Sequence, residues 1–416
     1  MTSITLNTIT GLTYPYNIYV CNVYGNDCVL ISTITTSVPP INEILLPFPF
    51  DMAPAVGIKI ITSDGCERFK IIDCNMLSPA FISVWRTTSS FESITLPYEL
   101  DGTYDGIIDW GDGTFSSNSY SNSSHTYDVA GTYTITIKGI INGWSFMSSP
   151  YSVNIIEILQ WGCLQLGNSG SNFYNCYDLS LTNVTDTLNL SGIYNLEDTF
   201  ASCVSLTTIP FINNWDVSNI TTMYGMFDGS GFNDDISSWD VSNVTQMNSM
   251  FSNSMFNSPI GNWNVSGVTN MNDMFAGTVF DQDINSWDVS NVTEMNQMFQ
   301  NSLFNQPLSG WNVSNVTTMV AMFIFSLFDQ NIGNWNVSMV NDFTSFMEDK
   351  TPSTFSSNNL DSIYNGWSSL PSLQLSLNIK FGDAQYTSSS QSGRDILTNP
   401  VISGGYGWNI TDGGVI

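Results

Sequence analysis

The chain has 416 residues, of which 42% are hydrophobic and 13% aromatic, enough apolar material for several cores. Only 8 Lys+Arg stand against 36 Asp+Glu, and the net charge of -28 repels phosphate backbones and anionic lipid, which argues against nucleic acid and membrane surfaces as partners. No apolar run is long enough to cross a bilayer, and the N-terminal Met-Thr-Ser-Ile-Thr-Leu-Asn-Thr lacks the basic start and apolar stretch of a secretory signal.

Residues 1–77 alternate apolar and polar side chains in short runs, at 4–6, 16–23, 29–34 and 58–61, separated by Gly-Asn-Asp, Pro-Pro and Ser-Asp-Gly. Period two broken by turn residues predicts a small β-sandwich, suited to attachment or spacing. Four of the seven cysteines, Cys21, Cys28, Cys66 and Cys74, lie here, placed either to pair across strands or to remain as buried thiols.

Residues 78–157 predict a second β unit. Ile107-Ile-Asp109-Trp110-Gly111-Asp112-Gly113-Thr114 reads as a strand entering a tight turn, and Gly131-Thr-Tyr-Thr-Ile-Thr-Ile137 as a strand with alternating faces. With His125-Thr-Tyr127 between them, these segments resemble a polycystic kidney disease (PKD) domain. The resemblance implies a seven-stranded immunoglobulin-like sandwich of the kind used as an extracellular spacer or a carbohydrate- or protein-binding module. Asp101, Asp105, Asp109 and Asp112 form a candidate Ca²⁺ set of hard oxygen ligands, against the simpler reading of acidic turns without metal; no other cofactor is expected.

Residues 158–349 carry the strongest signal. Trp215, Trp239, Trp263, Trp287, Trp311 and Trp335 recur every 24 residues, each opening a near-copy of Trp-Asp/Asn-Val-Ser-Asn-Val-Thr. Such a period means a stacked repeat of seven to eight units, the first ones stretched to 27 residues around Phe173, Phe200 and Phe227. In one copy, Ile236, Trp239 and Val241 predict a strand. Val244, Met247, Met250 and Phe251 have helical spacing and predict about two turns of helix capped by Ser242 or Asn243. The tryptophans, with Phe227, Phe251, Phe275, Phe299 and Phe323 and the methionines, are expected to be core. The loop phenylalanines Phe232, Phe256, Phe280, Phe304 and Phe328 are expected mostly in the core, with rimming of a binding face as the alternative. Cys176 and Cys203, at equivalent positions, are read as core filler.

This array resembles the bacterial surface protein (BspA-like) repeat family, leucine-rich-like units with the pattern Trp-Asp-Val-Ser-Asn-Val-Thr-x-Met-x-x-Met-Phe. The resemblance implies a leucine-rich-repeat-like solenoid and a role in binding host or neighbouring-cell components. Residues 350–416 are expected to cap it. There Leu360, Ile363, Tyr364 and Trp367 have the spacing of an amphipathic helix preceded by Ser356, Ser357 and Asn358, and the ending from Tyr406 to Gly414 resembles the tail that closes many proteins of this family.

The expected fold class is therefore mainly β with short helices: two N-terminal Ig-like sandwiches, then a leucine-rich-repeat-like solenoid with a C-terminal cap. His125 is the only histidine and no Gly-x-Ser-x-Gly elbow accompanies it, so neither a Ser-His-Asp apparatus nor a histidine-rich zinc site is expected. Asp216, Asp240 and Asp288 alternate with Asn264, Asn312 and Asn336 at equivalent positions, which suits turn chemistry rather than a glycosidase carboxylate pair. No enzymatic activity is expected. The candidate binding face is the polar ladder Ser238, Asp240, Ser242, Asn262, Asn264, Ser286, Asp288 and Asn312. The expected role is structural or adhesive. In the first reading the chain is a phage or virus virion component, a tail or fibre protein docked through its N-terminal module onto other virion proteins and binding a host-surface protein or polysaccharide. In the second it is a bacterial cell-surface or secreted adhesin. Homo-oligomerisation stays open.

Overall fold

The computed structural model describes residues 79–147 and 149–416 throughout, and in 1–78 the backbone of six strands. The described residues are mainly β, with two short α-helices, and none of their helices is long and apolar enough to cross a membrane.

In the N-terminal region β1 (Ser3–Ile4) pairs antiparallel with β4 (Ile44–Leu45). β2 (Tyr16–Cys21), β3 (Cys28–Ile34), β5 (Ala55–Thr62) and β6 (Glu67–Asp73) form an antiparallel sheet in the order β3-β2-β5-β6. The alternating runs at 29–34 and 58–61 thus fall on strands, as do residues 16–21 of the run at 16–23, whose last two residues lie outside the described ones. Cys21 and Cys28 are register partners across β2 and β3, while Cys66 and Cys74 lie outside the described residues.

A six-stranded sheet follows, built from β7 (Phe81–Thr87), β9 (Tyr98–Asp109), β10 (Phe115–Ser117), β12 (Gly131–Trp144), β13 (Ile155–Gln160) and β14 (Leu164–Gln165). β8 (Glu92–Thr95) and β11 (Ser124–Tyr127) make a separate two-stranded sheet. β12 is the organiser, because its first half pairs with β7 and its remainder, from Thr136 to Trp144, with β9, so its alternating Ile135, Ile137 and Ile141 are fully buried beside Trp85, Trp110 and Trp144. The sheet runs on to Gln165, so β13 straddles residue 157 and β14 lies beyond it.

From there the chain winds in rungs. Parallel single-residue bridges link Asn195, Thr222, Gln246, Asn270, Glu294, Thr318 and Asp342 in succession, one per rung. The Trp-Val segment forms no strand: Trp239 N–H closes a turn on Ile236 O (3.1 Å) and Val244 N–H closes one on Val241 O (2.9 Å). Nor does the segment after Val244 form the expected helix. Ser249 (φ 57°) and Asn253 (φ 53°) are left-handed, as are Asp273 and Gly277, Gln297 and Asn301, Ala321 and Phe325 in later rungs. A left-handed residue ends a right-handed helix and turns its N–H outward. Met247, Ser249, Phe251 and Asn253 instead donate to Asn270, Asn272, Met274 and Ala276 of the next rung, at 2.7–3.2 Å. Intra-helical bonds are exchanged for a ladder between rungs, so each unit depends on its neighbour.

Side chains reinforce that ladder. Phe200, Phe227, Phe251, Phe275, Phe299 and Phe323 stack with centroids 5.6–6.0 Å apart, and Phe232, Phe256, Phe280, Phe304 and Phe328 form a second stack at 6.1–6.3 Å. Every one of these loop phenylalanines is fully buried, so they fill the core and do not rim a surface. Each tryptophan indole from Trp239 to Trp335 donates to the carbonyl of the preceding rung's Ile or Leu: Trp239 to Ile212 at 3.0 Å, Trp263 to Ile236 at 3.1 Å, Trp335 to Leu308 at 3.0 Å. Buried Ser254 donates to Phe251 O (2.6 Å), as do Ser230, Thr278, Ser302 and Ser326 to their own phenylalanines. Cys176 and Cys203 are buried on successive rungs with thiols whose pKa burial pushes up.

The next rung replaces this serine by Lys350, which is 1% exposed and donates from Nζ to Ser326 O at 2.5 Å. Burial lowers its pKa to about 8, against the opposing pull of Asp349 and Asp329. Since the folded value lies below the unfolded one, the unfolded chain binds more protons between them, and stability rises with pH through that window. From pH 8 to 9.5 the denaturation midpoint should climb, within a ceiling of about 3 kcal/mol for the full shift, and Lys350→Met should flatten the slope. Equal slopes in the two proteins would refute the assignment.

The cap is α1 (Ser357–Ser368), β15 (Asn378–Lys380), α2 (Gln391–Thr398) and β16 (Asn409–Thr411). α1 buries Leu360, Ile363, Tyr364 and Trp367, the four residues its spacing selects. Ser356 is its N-cap residue but makes no side-chain capping bond; its N–H goes to Asp329 Oδ1 at 2.8 Å. Trp367 continues the indole ladder to Ile332 O (3.3 Å), Ile379 bridges to Phe343, and β16 adds in parallel to β15.

Candidate binding face

Stacking places equivalent polar residues of successive rungs side by side, separated by roughly the 4.8 Å of paired strands. Ser238, Asp240, Asn262, Asn264, Ser286, Asp288 and Asn312 are exposed, and Ser242 is half-buried. Much of their inward bonding capacity holds the backbone. Asp240 Oδ1 accepts from Ser242 N–H at 3.1 Å, Asp288 from Ser290 at 3.1 Å, Asn264 from Ser266 at 3.2 Å and Asn312 from Ser314 at 3.2 Å, each a local Asx turn. Asn262 Nδ2, Ser238 Oγ and Ser286 Oγ reach back to carbonyls of the preceding rung, Ser237, Asn213 and Gly261, at 2.9, 3.3 and 2.9 Å. That shared geometry explains why Asp and Asn interchange: either supplies the accepting oxygen. Hydrogen bonds from Ser218, Ser242 and Ser290 hold the carboxyls of Asp216, Asp240 and Asp288 below their ordinary value, so each remaining oxygen presents negative charge outward at neutral pH.

A second ladder escaped the sequence reading. Asn257 N–H donates to Asn233 Oδ1 (2.7 Å), and Asp281, Asn305, Asp329 and Ser356 repeat the bond to the preceding Asn257, Asp281, Asn305 and Asp329 at 2.8–2.9 Å. The Asn or Asp immediately after each loop phenylalanine was the available sign. On another side of the stack, burial and then the charges of Glu197 and Asp228 push Asp198 up to about 6; burial also raises Asp228, and burial with the Asp228 charge raises Asp273. Gly225 makes room for Asp198, since a Cβ there would stand 2.2 Å from its Oδ1.

The candidate Ca²⁺ residues do not converge. Asp101, Asp105 and Asp109 sit four residues apart along extended β9, so neighbours are separated by roughly 13 Å. Asp112 lies in the following turn, where its Oδ1 accepts from Thr114 N–H (2.9 Å) and its Oδ2 meets His125 Nε2 (2.7 Å). Burial resists ionisation of Asp112, but the bonds from Thr114 and His125 win and lower its pKa to about 2. Among the described residues, no three His, Cys, Asp or Glu side chains are grouped to hold a metal ion. His125 also stacks on Trp110 at 4.9 Å, pinning the turn to the sheet.

Fold and face together define a mainly β protein whose second half repeats one rung and displays one set of polar groups along it. Residues 168–279 and 253–362, two overlapping stretches that take in most of the rungs, match the family described as Mycoplasma protein of unknown function, DUF285. No match was found among curated proteins or among solved structures.

Proposed function

We propose that the chain is a non-enzymatic recognition protein in which a leucine-rich-like solenoid of the BspA-like type offers its polar ladder to a repetitive cell-surface glycan or a flat protein surface. The observation that carries this is the rung-by-rung repetition of exposed Ser, Asp and Asn whose outward atoms remain available while their inward atoms hold the fold. A regular array suits a repetitive target, because each added rung adds a contact without reorganising the others. In this reading residues 81–165 serve as a PKD-like, Ig-like spacer, supported by the six-stranded sheet, the two-stranded sheet and the Trp110 turn. The test is binding of the purified chain to candidate host cells before and after the combined substitution Ser238→Arg, Asp240→Arg, Asp288→Arg and Asn312→Arg, all at exposed positions. A loss of at least about tenfold is expected, and unchanged binding would refute the assignment to this face.

The setting we propose first is a virion, with the N-terminal region docking on other particle proteins. A bacterial surface adhesin is the second reading, favoured by the likeness of 168–362 to a family described from Mycoplasma. Mass spectrometry of purified particles against cell envelopes separates the two by where the chain is found.

A further inference from the structure

Beside β7 and β8, where the turn before β13 meets the first rung, lies a cleft of about 520 Å³. This is within the range of small-ligand sites, roughly 300–1,000 Å³. Its walls include Arg86, Glu92, Tyr151, Asn154, Tyr177 and Asp178, none of them on the polar ladder. We propose that this cleft is a second binding site, one that takes a neutral hexopyranose unit of a glycan.

Charge narrows the ligand class. The single cation among these six residues, Arg86, is already paired with Asp178, and Glu92 adds a second carboxylate. Burial works against Glu92's charge, but hydrogen bonds from Thr88, Asn154 and Ser89 outweigh it. One cation against two carboxylates, on a chain of net charge -28, repels phosphates and acidic sugars. A cationic ligand would find Asp178 paired with Arg86 and Glu92 already accepting from Thr88, Ser89 and Asn154.

Shape and bonding capacity favour a sugar over another neutral ligand. Tyr177 is 43% exposed and Tyr151 half-buried, offering aromatic surface for the apolar C–H face of a pyranose ring. Asn154, nine-tenths buried, spends Nδ2 on Arg86 O (2.9 Å) and Glu92 Oε1 (2.8 Å), which fixes its amide and leaves Oδ1 as an acceptor. Arg86 carries five N–H donors, more than its pairing with Asp178 uses. A fixed acceptor on Asn154 and spare donors on Arg86 thus line the same cleft as two tyrosines, and the hydroxyls of a sugar are both donor and acceptor.

The experiment is saturation-transfer NMR and calorimetry on the full chain with maltohexaose, cellohexaose, chitohexaose and mannohexaose, and with a galacturonate hexamer as the charged comparison. At least one neutral hexasaccharide should bind. Tyr177→Ala and Tyr151→Ala should each weaken it tenfold or more, whereas Tyr177→Phe, which keeps the ring, should stay within threefold. The four-arginine ladder variant should bind it as wild type does, which separates this site from the proposed polar face. No binding to any neutral hexamer, preference for the galacturonate hexamer, or affinity unchanged in Tyr177→Ala would each overturn the proposal.

Discussion

Trp239→Ala is expected to destabilise the stack by about 3–5 kcal/mol, the range for removing a buried large aromatic, with about 1 kcal/mol more for the indole hydrogen bond lost to Ile212 O, which keeps only its bond from Trp215 N–H. Trp239 is only 4% exposed and lies between Trp215 and Trp263, with centroids 6.3 and 6.4 Å away and nearly parallel rings, so its loss opens a void against both neighbouring rungs. Rungs are held by nearest neighbours, so the damage should also split the urea transition, one side of the stack melting before the other. A sharper comparison uses Phe, which keeps most of the ring but not the indole N–H. Trp239 donates to Ile212 O at 3.0 Å, whereas the buried indole N–H of Trp215 has no partner among the described residues. Trp239→Phe should therefore cost about 1 kcal/mol more than Trp215→Phe. Equal costs, measured by tryptophan fluorescence in urea, would remove the indole bond from the account.

What the sequence made legible was the part written in buried side chains. A 24-residue beat of Trp, Val, Met and Phe appears in the structure as columns of buried residues, and Leu360, Ile363, Tyr364 and Trp367 fall on one buried helix face. The backbone path was less legible, because Val244, Met247, Met250 and Phe251 point inward whether the chain coils as a helix or turns within a rung. Gly225 with Gly229, and Asn253, Gly277 and Asn301 at the later of the two left-handed positions, did carry a sign of left-handed backbone. Ser249, Gln297, Ala321 and Phe325 adopt the same φ without any such preference, so there the neighbouring rung's hydrogen bonds must dictate it. Likewise Thr222, Gln246, Asn270, Glu294, Thr318 and Asp342 share a bridge column but no chemical character that would mark them as pairing.

Closeness in sequence misled in one direction and distance in the other. Asp101, Asp105 and Asp109 look like a cluster on paper, yet an extended strand spreads them over many ångströms. Arg86 and Asp178 stand 92 residues apart and form an ion pair. The polar ladder was readable because it inherits the repeat; the cleft was not, because residues from unrelated segments meet only after the first rung packs beside β7.

Asp412→Ala should release the C-terminal tail, at a local cost of about 3–5 kcal/mol, the range for stranding one member of a buried ion pair. The Asp412 side chain is 3% exposed and accepts from Arg394 Nε at 2.7 Å and from the Tyr364 hydroxyl at 2.5 Å, while its Oδ1 receives Gly414 N–H at 3.1 Å. Removing it leaves the Arg394 charge, 22% exposed, and the fully buried Tyr364 hydroxyl without their shared partner. β16 is the strand that carries Asp412's neighbours, and it closes the ladder through β15 to Phe343, beneath which Trp367 and Trp408 pack. The loss should therefore appear first as faster hydrogen exchange at Phe381, Tyr386 and Asn409, whose N–H groups bond to Thr411, Gly414 and Leu377, ahead of any change in the central rungs. Asp412→Asn, which retains an accepting oxygen but not the charge, should fall between wild type and alanine. Unchanged protection at those three amides in Asp412→Ala would mean that the tail is held by packing alone and that the Arg394–Asp412–Tyr364 network is not the latch.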